Sequence, residues 1–281
     1  MSWGPPAVAR VLALVAAVLV AGACGRDRPA PLGFTPVEQG TLTVATALPA
    51  PGFWETDRDG RAVGGFEHGI AAALAERFDL ALEVRDVPFD RIVAGDLGGA
   101  DLALAQIAVT GERAEALALS TPYLTVDAGA VVARGQTLAD LEEARSLRWV
   151  VERGTTEVGF VEQVVRPAAA PLVVADRAAT LAALDSGRAD AALLDLRTAL
   201  ATAHASGGAL DVPAQFRTGD RVVAALPRDA ARGAENLEAV DAALRNLAAS
   251  GRLRELEGDE LLPALGRDPA EVPVILTRQP R

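Results

Sequence analysis

LALAQIAVTGERAEAL, residues 102–117, decides how this chain is read. Leu102 to Val109 alternates leucine and alanine in an apolar run, the pattern of a strand buried on both faces. Thr110 ends the run, and Gly111 and Glu112 lead to Arg113 in a short helical turn. Threonine suits the N-cap, and the first N–H groups of such a turn have no partner inside the helix. An arginine one turn beyond a strand's carboxyl end can reach back over it, where a guanidinium beside free N–H groups makes a fork for a carboxylate. Taken alone, Arg113 reads equally well as an exposed surface arginine.

A second stretch bears on that choice. Residues 98–106 read GGADLALAQ and residues 187–195 read GRADAALLD. Both run Gly, any residue, Ala, Asp, an apolar strand, and then a polar residue, Gln106 in the first copy and Asp195 in the second. Each follows a short helix-like segment. The repeat predicts two lobes built alike, with a cleft between their strand ends, where ligands of open α/β sheets bind. Arg113 after one strand and Asp195 at the end of the other suit a ligand with a carboxylate and an ammonium, an α-amino acid. Asp195 also fits a plain N-cap of the helix that follows it.

The chain has 281 residues, room for two domains, and half of them are hydrophobic, enough for a core in each. Aromatic residues make up only 4%, so alanine does much of the filling. Every basic residue is arginine, scattered through all segments. The formal charge of −11 argues against a nucleic-acid partner, and no basic stripe offsets it.

The N-terminus reads as an export signal. Arg10 precedes VLALVAAVLVAGA, an apolar run too short for a comfortable membrane span. The only cysteine, Cys24, follows directly and cannot form an internal disulfide. The Gly-Ala-Cys triplet matches a lipobox, with residues 1–23 as signal peptide and Cys24 as the lipid anchor. Cleavage elsewhere, or a plain N-terminal membrane anchor, are the other readings. Residues 24–40 are rich in proline, glycine and mixed charge and read as a tether.

From residue 41 strands alternate with helices, which predicts an α/β protein with mainly parallel sheets. TLTVATAL (41–48) is the first strand, Asp59-Gly60 the turn of a loop or hairpin, and Glu67–Phe78 a helix with Ile70, Leu74 and Phe78 on one face. Thr155 or Thr156 caps the helix after RWVVERG, and a strand covers 221–227. Residues 235–250 make an amphipathic helix, and the tail from Pro263 is expected to be extended.

Together these pieces resemble the extracellular solute-binding proteins of family 3, the amino-acid receptors of ABC importers. TLTVAT, GRAVGGFEHGIAAALAERF, ADLALAQIAVTGERAEALALSTPYL, LADL with RWVVERGTTE, GRADAALLD and ASGRLREL stand in the family's order and spacing from about residue 41 to 262. The resemblance implies the two-lobed type II periplasmic binding protein fold, an α/β fold of mainly parallel sheets flanked by helices, with the ligand cleft between the lobes. Residues 41–131 and 225–262 would form lobe 1, residues 132–224 lobe 2, and residues 263–281 an extended proline-rich tail. The crossings would fall near Val131 to Arg134 and Val222 to Ala225.

The resemblance also assigns roles. Arg113 matches the arginine that clamps the ligand carboxylate, with Thr110 in its loop. Asp195 matches the acid that takes the ammonium. Thr155, with Thr156 beside it, matches the threonine at the helix start of the second lobe, and Phe89 an aromatic on the pocket wall. The chain departs from the pattern at Ala108, where serine or threonine is usual, and at Gln106, where a small residue is usual. Gln106 would intrude on a long ligand side chain or bond a polar one. Near Ala50 the family often has an aromatic lid; here Phe53 and Trp54 follow.

The implied function is an extracytoplasmic, lipid-anchored, monomeric receptor, at the outer face of the cytoplasmic membrane or in the periplasm. It would close on an amino acid or related solute and deliver it to an ABC permease and its ATPase, with no cofactor and no catalysis. Two alternatives on the same fold stay open. A cyclohexadienyl-type dehydratase needs a general acid in the cleft, for which Glu55 and Glu157 are the candidates. A ligand-sensing module would need a partner receptor. His68 and His204 have no second ligand at metal spacing, and no Gly-x-Ser-x-Gly or Cys/His pair offers a nucleophile.

Overall fold

The computed structural model describes Met1 and residues 33–277. Residues 2–32 and 278–281, and with them the expected signal segment and Cys24, lie outside the described residues.

The first half comprises β1 (Thr41–Thr46), the hairpin β2 (Glu55–Thr56) and β3 (Ala62–Gly64), α1 (Phe66–Phe78), β4 (Ala81–Asp86), α2 (Phe89–Val93), β5 (Leu102–Ala108), α3 (Gly111–Ala116), β6 (Leu117–Leu119) and β7 (Leu124–Ala133). The second half runs α4 (Leu141–Ser146), β8 (Trp149–Glu152), α5 (Thr156–Phe160), β9 (Leu172–Val174), α6 (Arg177–Asp185), β10 (Ala191–Asp195) and α7 (Leu196–Ala205). The chain then returns through β11 (Leu210–Pro227), α8 (Gly233–Ala249), α9 (Arg252–Leu256), α10 (Leu262–Leu265) and β12 (Val274–Ile275).

The apolar runs form the centre of the sheet because nothing polar in them needs water. Leu102 to Ala105 of β5 and Ala191 to Leu194 of β10 are all buried. In α1, Ile70, Leu74 and Phe78 fall on the buried face as their spacing predicts. Gly65 sits at the N-cap of α1 with φ +102°, where a Cβ would lie 2.5 Å from the Phe53 carbonyl oxygen. Only glycine allows that approach, which presses the first turn of α1 onto the loop before the hairpin.

Eight strands follow the order β4-β1-β5-β11-β7-β10-β8-β9. Pairing is parallel within β4-β1-β5 and within β10-β8-β9. The two central strands, β11 and β7, run antiparallel to their neighbours and join the two lobes. Val222 to Asp220 of β11 pair with Leu124 to Val126, whereas Phe216 to Leu210 pair with Ala128 to Ala133, and the register breaks between Phe216 and Asp220. Asp127 holds the break, accepting the N–H groups of Thr218 and Gly219 at 3.0 Å each.

Val131 and Val132 pair with Ala192 and Ala191 of β10, and Val222 and Val223 with Ala108 and Ile107 of β5. The strand expected over 221–227 is one element of 18 residues.

The repeat has a structural basis. Asp101 donates its N–H to the Thr43 carbonyl (2.9 Å) and accepts the Thr43 N–H on Oδ2 (2.8 Å). Asp190 does the same with Arg148, at 2.8 Å and 2.9 Å. Each aspartate thus ties the start of its strand to the parallel neighbour.

Two flanking segments are more ordered than their composition suggests. At the end of the expected 24–40 tether, Phe34 stacks on Phe78 with centroids 4.7 Å apart, and Val37 N–H reaches Asp101 Oδ1 at 2.6 Å. Thr35 exchanges two hydrogen bonds with the Asn236 side chain, both 2.9 Å. Of the tail expected to be extended over 263–281, the described residues 263–277 carry most of α10, a short turn at Pro269–Glu271 and β12, which pairs with β11 at Gln215 and Phe216. Proline removes a donor but keeps an acceptor. The Pro273 carbonyl accepts the Gln215 N–H at 2.8 Å, and the buried Gln215 side chain donates to the Pro269 and Val272 carbonyls at 2.9 and 2.7 Å.

Candidate functional site

A cavity of about 530 Å³ opens at the carboxyl ends of the strands in both lobes. Lobe 1 contributes Ala47 to Pro49 after β1, Asp86 to Arg91 after β4 (Val87 excepted), Gln106 and Ala108 of β5, and Arg113 of α3. Lobe 2 contributes Glu152, Thr155 to Glu157, Asp176 and Arg177, and Leu193 to Asp195, while Val126 and Asp220 come from the crossing strands. Seven carboxylates face three guanidiniums, so the wall is acidic overall. Arg177 is 3.4 Å from Glu152.

Arg113 stands apart from that ion pair. Thr110 caps α3, its Oγ1 accepting the Arg113 N–H at 3.1 Å, which sets the turn that carries the side chain. The residue is 5% exposed, and its guanidinium lies 5.4 Å from the centre of the Phe89 ring. Nη1 donates to the Ala108 carbonyl (2.6 Å) and Nη2 to the Gly154 carbonyl in the other lobe (2.8 Å). Both partners are neutral, so the charge has no bonded counterion. A guanidinium has five N–H groups, and the two carbonyls occupy two of them, leaving three. Burial pulls its pKa below the ordinary value, opposed by the charges of Glu157, Asp220 and Glu112.

Across the cavity, Asp195 accepts the Thr198 N–H at 3.0 Å and caps α7. It lines the cavity as well. Glu157 lies beside it, its carboxyl pushed up to about 7 by burial first and by the charges of Asp195 and Asp220. Burial also raises Asp220, against hydrogen bonds from Thr218 and Thr156 and the attraction of Arg113.

The structure thus brings Arg113, Asp195, Ala108, Gln106, Phe89, Thr155 and Thr156 to one cavity. Thr110 acts one step back, as the cap. The Thr155 hydroxyl donates to the Glu152 carbonyl at 2.8 Å and does not cap α5. Phe53 and Trp54 lie elsewhere: both are core residues, 0% and 1% exposed, packed beneath α1 and outside the residues that line this cavity. Two aromatics in a loop signal an anchor or a lid alike, and here the close approach at Gly65 makes them anchors. Glu55 is exposed on the hairpin and accepts the Gly52 N–H at 2.8 Å, so of these two glutamates it is Glu157 that lines the cleft.

Behind β5 lies a buried cluster that sequence reasoning missed. Glu67, fully buried on α1, receives four donors. Oε1 accepts the Gln106 backbone N–H at 2.9 Å and the Tyr123 hydroxyl. Oε2 accepts Trp54 Nε1 at 2.8 Å and Gln106 Nε2. Burial raises the carboxyl to about 7, with these hydrogen bonds working against it. Gln106 holds φ +52° inside a strand. The available signal was a glutamate on the apolar stripe of α1, three residues before Ile70.

This chain belongs to the bacterial extracellular solute-binding proteins, family 3, whose pattern matches residues 42–259. It is 28% identical over 164 residues to the probable ABC transporter extracellular-binding protein YckB of Bacillus subtilis (strain 168), and the match spans 56% of this chain and 56% of that protein. Among solved structures it resembles an ancestral arginine-binding protein bound to glutamine, with TM-score 0.71 and 25% identity, covering 79% of this chain and 98% of that one. It also resembles the solute receptor for L-cysteine of Neisseria gonorrhoeae, with TM-score 0.69 and 25% identity, covering 81% and 92%. The fold is the two-lobed type II periplasmic binding protein fold.

Proposed function

We propose that this chain is the extracytoplasmic receptor of an ABC importer, closing its lobes on an α-amino acid or a closely related solute and delivering it to a permease and its ATPase. The observation that carries the reading is Arg113. A buried guanidinium with three N–H groups unspent, in a cavity whose opposite lobe offers Asp195, matches a carboxylate and an ammonium on one carbon. The arginine and cysteine receptors among the similar structures support an amino-acid ligand.

Calorimetric titration with the twenty amino acids and the desamino analogue of each binder tests this. The expected result is binding of at least one amino acid and a marked loss for its desamino analogue. No binding by any amino acid would overturn the amino-acid reading. Small-angle scattering should show a smaller radius of gyration with ligand, because only contacts made in the closed state can shift the equilibrium toward it.

Membrane attachment is proposed through a lipid on Cys24. Cys24→Ser should move the protein from the membrane fraction to the soluble one.

One observation favours a second reading. Glu157 lines the cleft, and burial raises its carboxyl to about 7, so a share of it carries a proton near neutral pH, as a dehydratase acid must. Turnover of a cyclohexadienyl acid, abolished by Glu157→Gln, would establish that reading in place of the first.

A further inference from the structure

We propose that Gly154 is the closure contact of this receptor. The turn that carries it seats on α2 of the opposite lobe and accepts a hydrogen bond from Arg113, so one guanidinium both joins the lobes and clamps the ligand carboxylate. The clamp half of the inference rests on the reading of this cavity as an amino-acid site; the lobe contact does not.

Gly154 stands in lobe 2, between β8 and α5. The Glu152 carbonyl ties the turn together, accepting the Thr155 N–H at 3.3 Å and the Thr155 hydroxyl at 2.8 Å. Gly154 is the third residue of these four and has φ +81°, a position where a turn takes glycine or asparagine. Its backbone lies against lobe 1. A Cβ on Gly154 would stand 3.2 Å from Val93 Cγ2, 3.3 Å from Asp90 Cα and 3.5 Å from Asp90 Cβ, the first two closer than carbon atoms ordinarily pack.

Both neighbours belong to α2, and so does Phe89, whose ring centre is 5.4 Å from the Arg113 guanidinium. One short helix of lobe 1 therefore flanks the arginine and receives the turn. Arg113 Nη1 is held within its own lobe by the Ala108 carbonyl at 2.6 Å, and Nη2 crosses to the Gly154 carbonyl at 2.8 Å. Nearby, Arg153 Nη1 stands 3.7 Å from Asp90 Oδ2, a long surface pair that adds little.

A hydrogen bond from a charged donor is stronger than one between neutral groups, and this one exists only while the lobes touch. The two carbonyls also fix the plane of the guanidinium, so its three remaining N–H groups are presented in one orientation. A carboxylate bound there gains from closure, and closure gains from the carboxylate. That difference between open and closed states is what lets a ligand shift the equilibrium. Gly154 lies outside the residues that line the cavity; it is a positioning residue acting through Arg113.

Small-angle scattering on the protein without ligand tests the lobe contact. Gly154→Asn keeps a residue that accepts positive φ but sets a side chain against Asp90 and Val93. Gly60→Asn is the control, at φ +78° on the hairpin turn with nothing within 4 Å of an added Cβ. The radius of gyration should be larger for Gly154→Asn than for the wild type and unchanged for Gly60→Asn. Arg113→Ala, which removes the bond without adding bulk, should enlarge it too, and it decides alone if Gly154→Asn does not fold. A wild-type radius in a folded Gly154→Asn or in Arg113→Ala would overturn the inference, as would an equal increase in Gly60→Asn.

Calorimetry with the twenty amino acids tests the coupling. For whichever binds the wild type, Gly154→Asn should weaken affinity by about tenfold or more and Gly60→Asn should not. Unchanged affinity in Gly154→Asn would overturn the coupling while leaving the amino-acid reading intact. If none of the twenty binds the wild type, the amino-acid reading falls and the clamp with it, and the scattering result still decides the lobe contact.

Discussion

The two copies of the Gly-x-Ala-Asp strand start alike and end differently. In both, the aspartate ties its strand to the parallel neighbour by a reciprocal pair of hydrogen bonds, Asp101 with Thr43 and Asp190 with Arg148. In the second copy the polar residue that closes the strand, Asp195, caps the next helix directly. In the first copy the equivalent Gln106 twists into the left-handed region, bonds a buried carboxylate, and the chain runs on to Thr110 before a helix begins. The extra residues place Arg113 one turn beyond the strand end. The same opening therefore leads to a carboxylate in one lobe and a guanidinium in the other, and that asymmetry suits a zwitterion.

The largest way to break the asymmetry is to remove its cation. Arg113→Ala should cost ligand binding about 2 to 5 kcal/mol, because it leaves a desolvated carboxylate unpaired. Arg113→Lys should not restore affinity, since an ammonium cannot span the Ala108 and Gly154 carbonyls and a carboxylate as a planar fork does. Titration of both variants checks this, and wild-type affinity in Arg113→Ala would remove the zwitterion argument.

Next comes the buried α1 carboxylate that holds the end of the first copy through Gln106. Glu67 is raised from 4.5 to about 7 in the folded chain, so between these values the native state holds a proton that the unfolded state has released. Stability should fall as pH rises through that window, by up to about 1.4 kcal/mol per unit. Glu67→Gln does not titrate. Urea unfolding of both proteins at several pH values between 4.5 and 8 should show the wild type losing ground to the variant up to about pH 7 and then running parallel to it. Parallel curves throughout would show that Glu67 is not raised.

A smaller change separates the two duties of Asp195. Asparagine caps as well as aspartate, so Asp195→Asn should leave unfolding midpoints nearly unchanged. Losing a charge-assisted bond to an ammonium should weaken amino acids by about 1.5 to 3 kcal/mol and their desamino analogues much less. Equal losses for both would make Asp195 a cap alone. Smallest is Thr110→Ala, expected to cost about 1 kcal/mol in stability through the lost cap of α3. It should lower affinity with it, because α3 carries Arg113; an unchanged unfolding midpoint would count against the cap.

Much of this was legible in the sequence because it rests on local pattern. Apolar runs mark β1, β5, β8 and β10, Thr110 marks the start of α3, and the repeat marks two like lobes. Arg113, Asp195, Phe89 and the Thr155 turn came from that pattern and from the family resemblance. What was not legible depends on partners distant in sequence. Glu67 meets Gln106 39 residues away and Tyr123 56 away, and nothing near it in the chain reveals that four donors converge there. Phe53 and Trp54 are core because of the approach at Gly65, and the tail is ordered because Gln215 lies 57 residues before Val272 in the chain yet beside it in space. Asp220 belongs to the site because the register of β11 breaks just before it.

The length of β11 has a consequence for how the molecule melts. Its 18 residues belong to both lobes, and one hydrogen-bonded sheet, to which only the β2–β3 hairpin does not belong among the described strands, runs from β4 to β9. Neither lobe can unfold without stripping one flank of a strand that the other lobe still needs, and the β12 pairing secures that strand from the C-terminal side. A two-lobed outline therefore does not imply two foldons. In calorimetry the protein should give one endotherm, with the van't Hoff and calorimetric enthalpies equal, as for a unit that unfolds all at once.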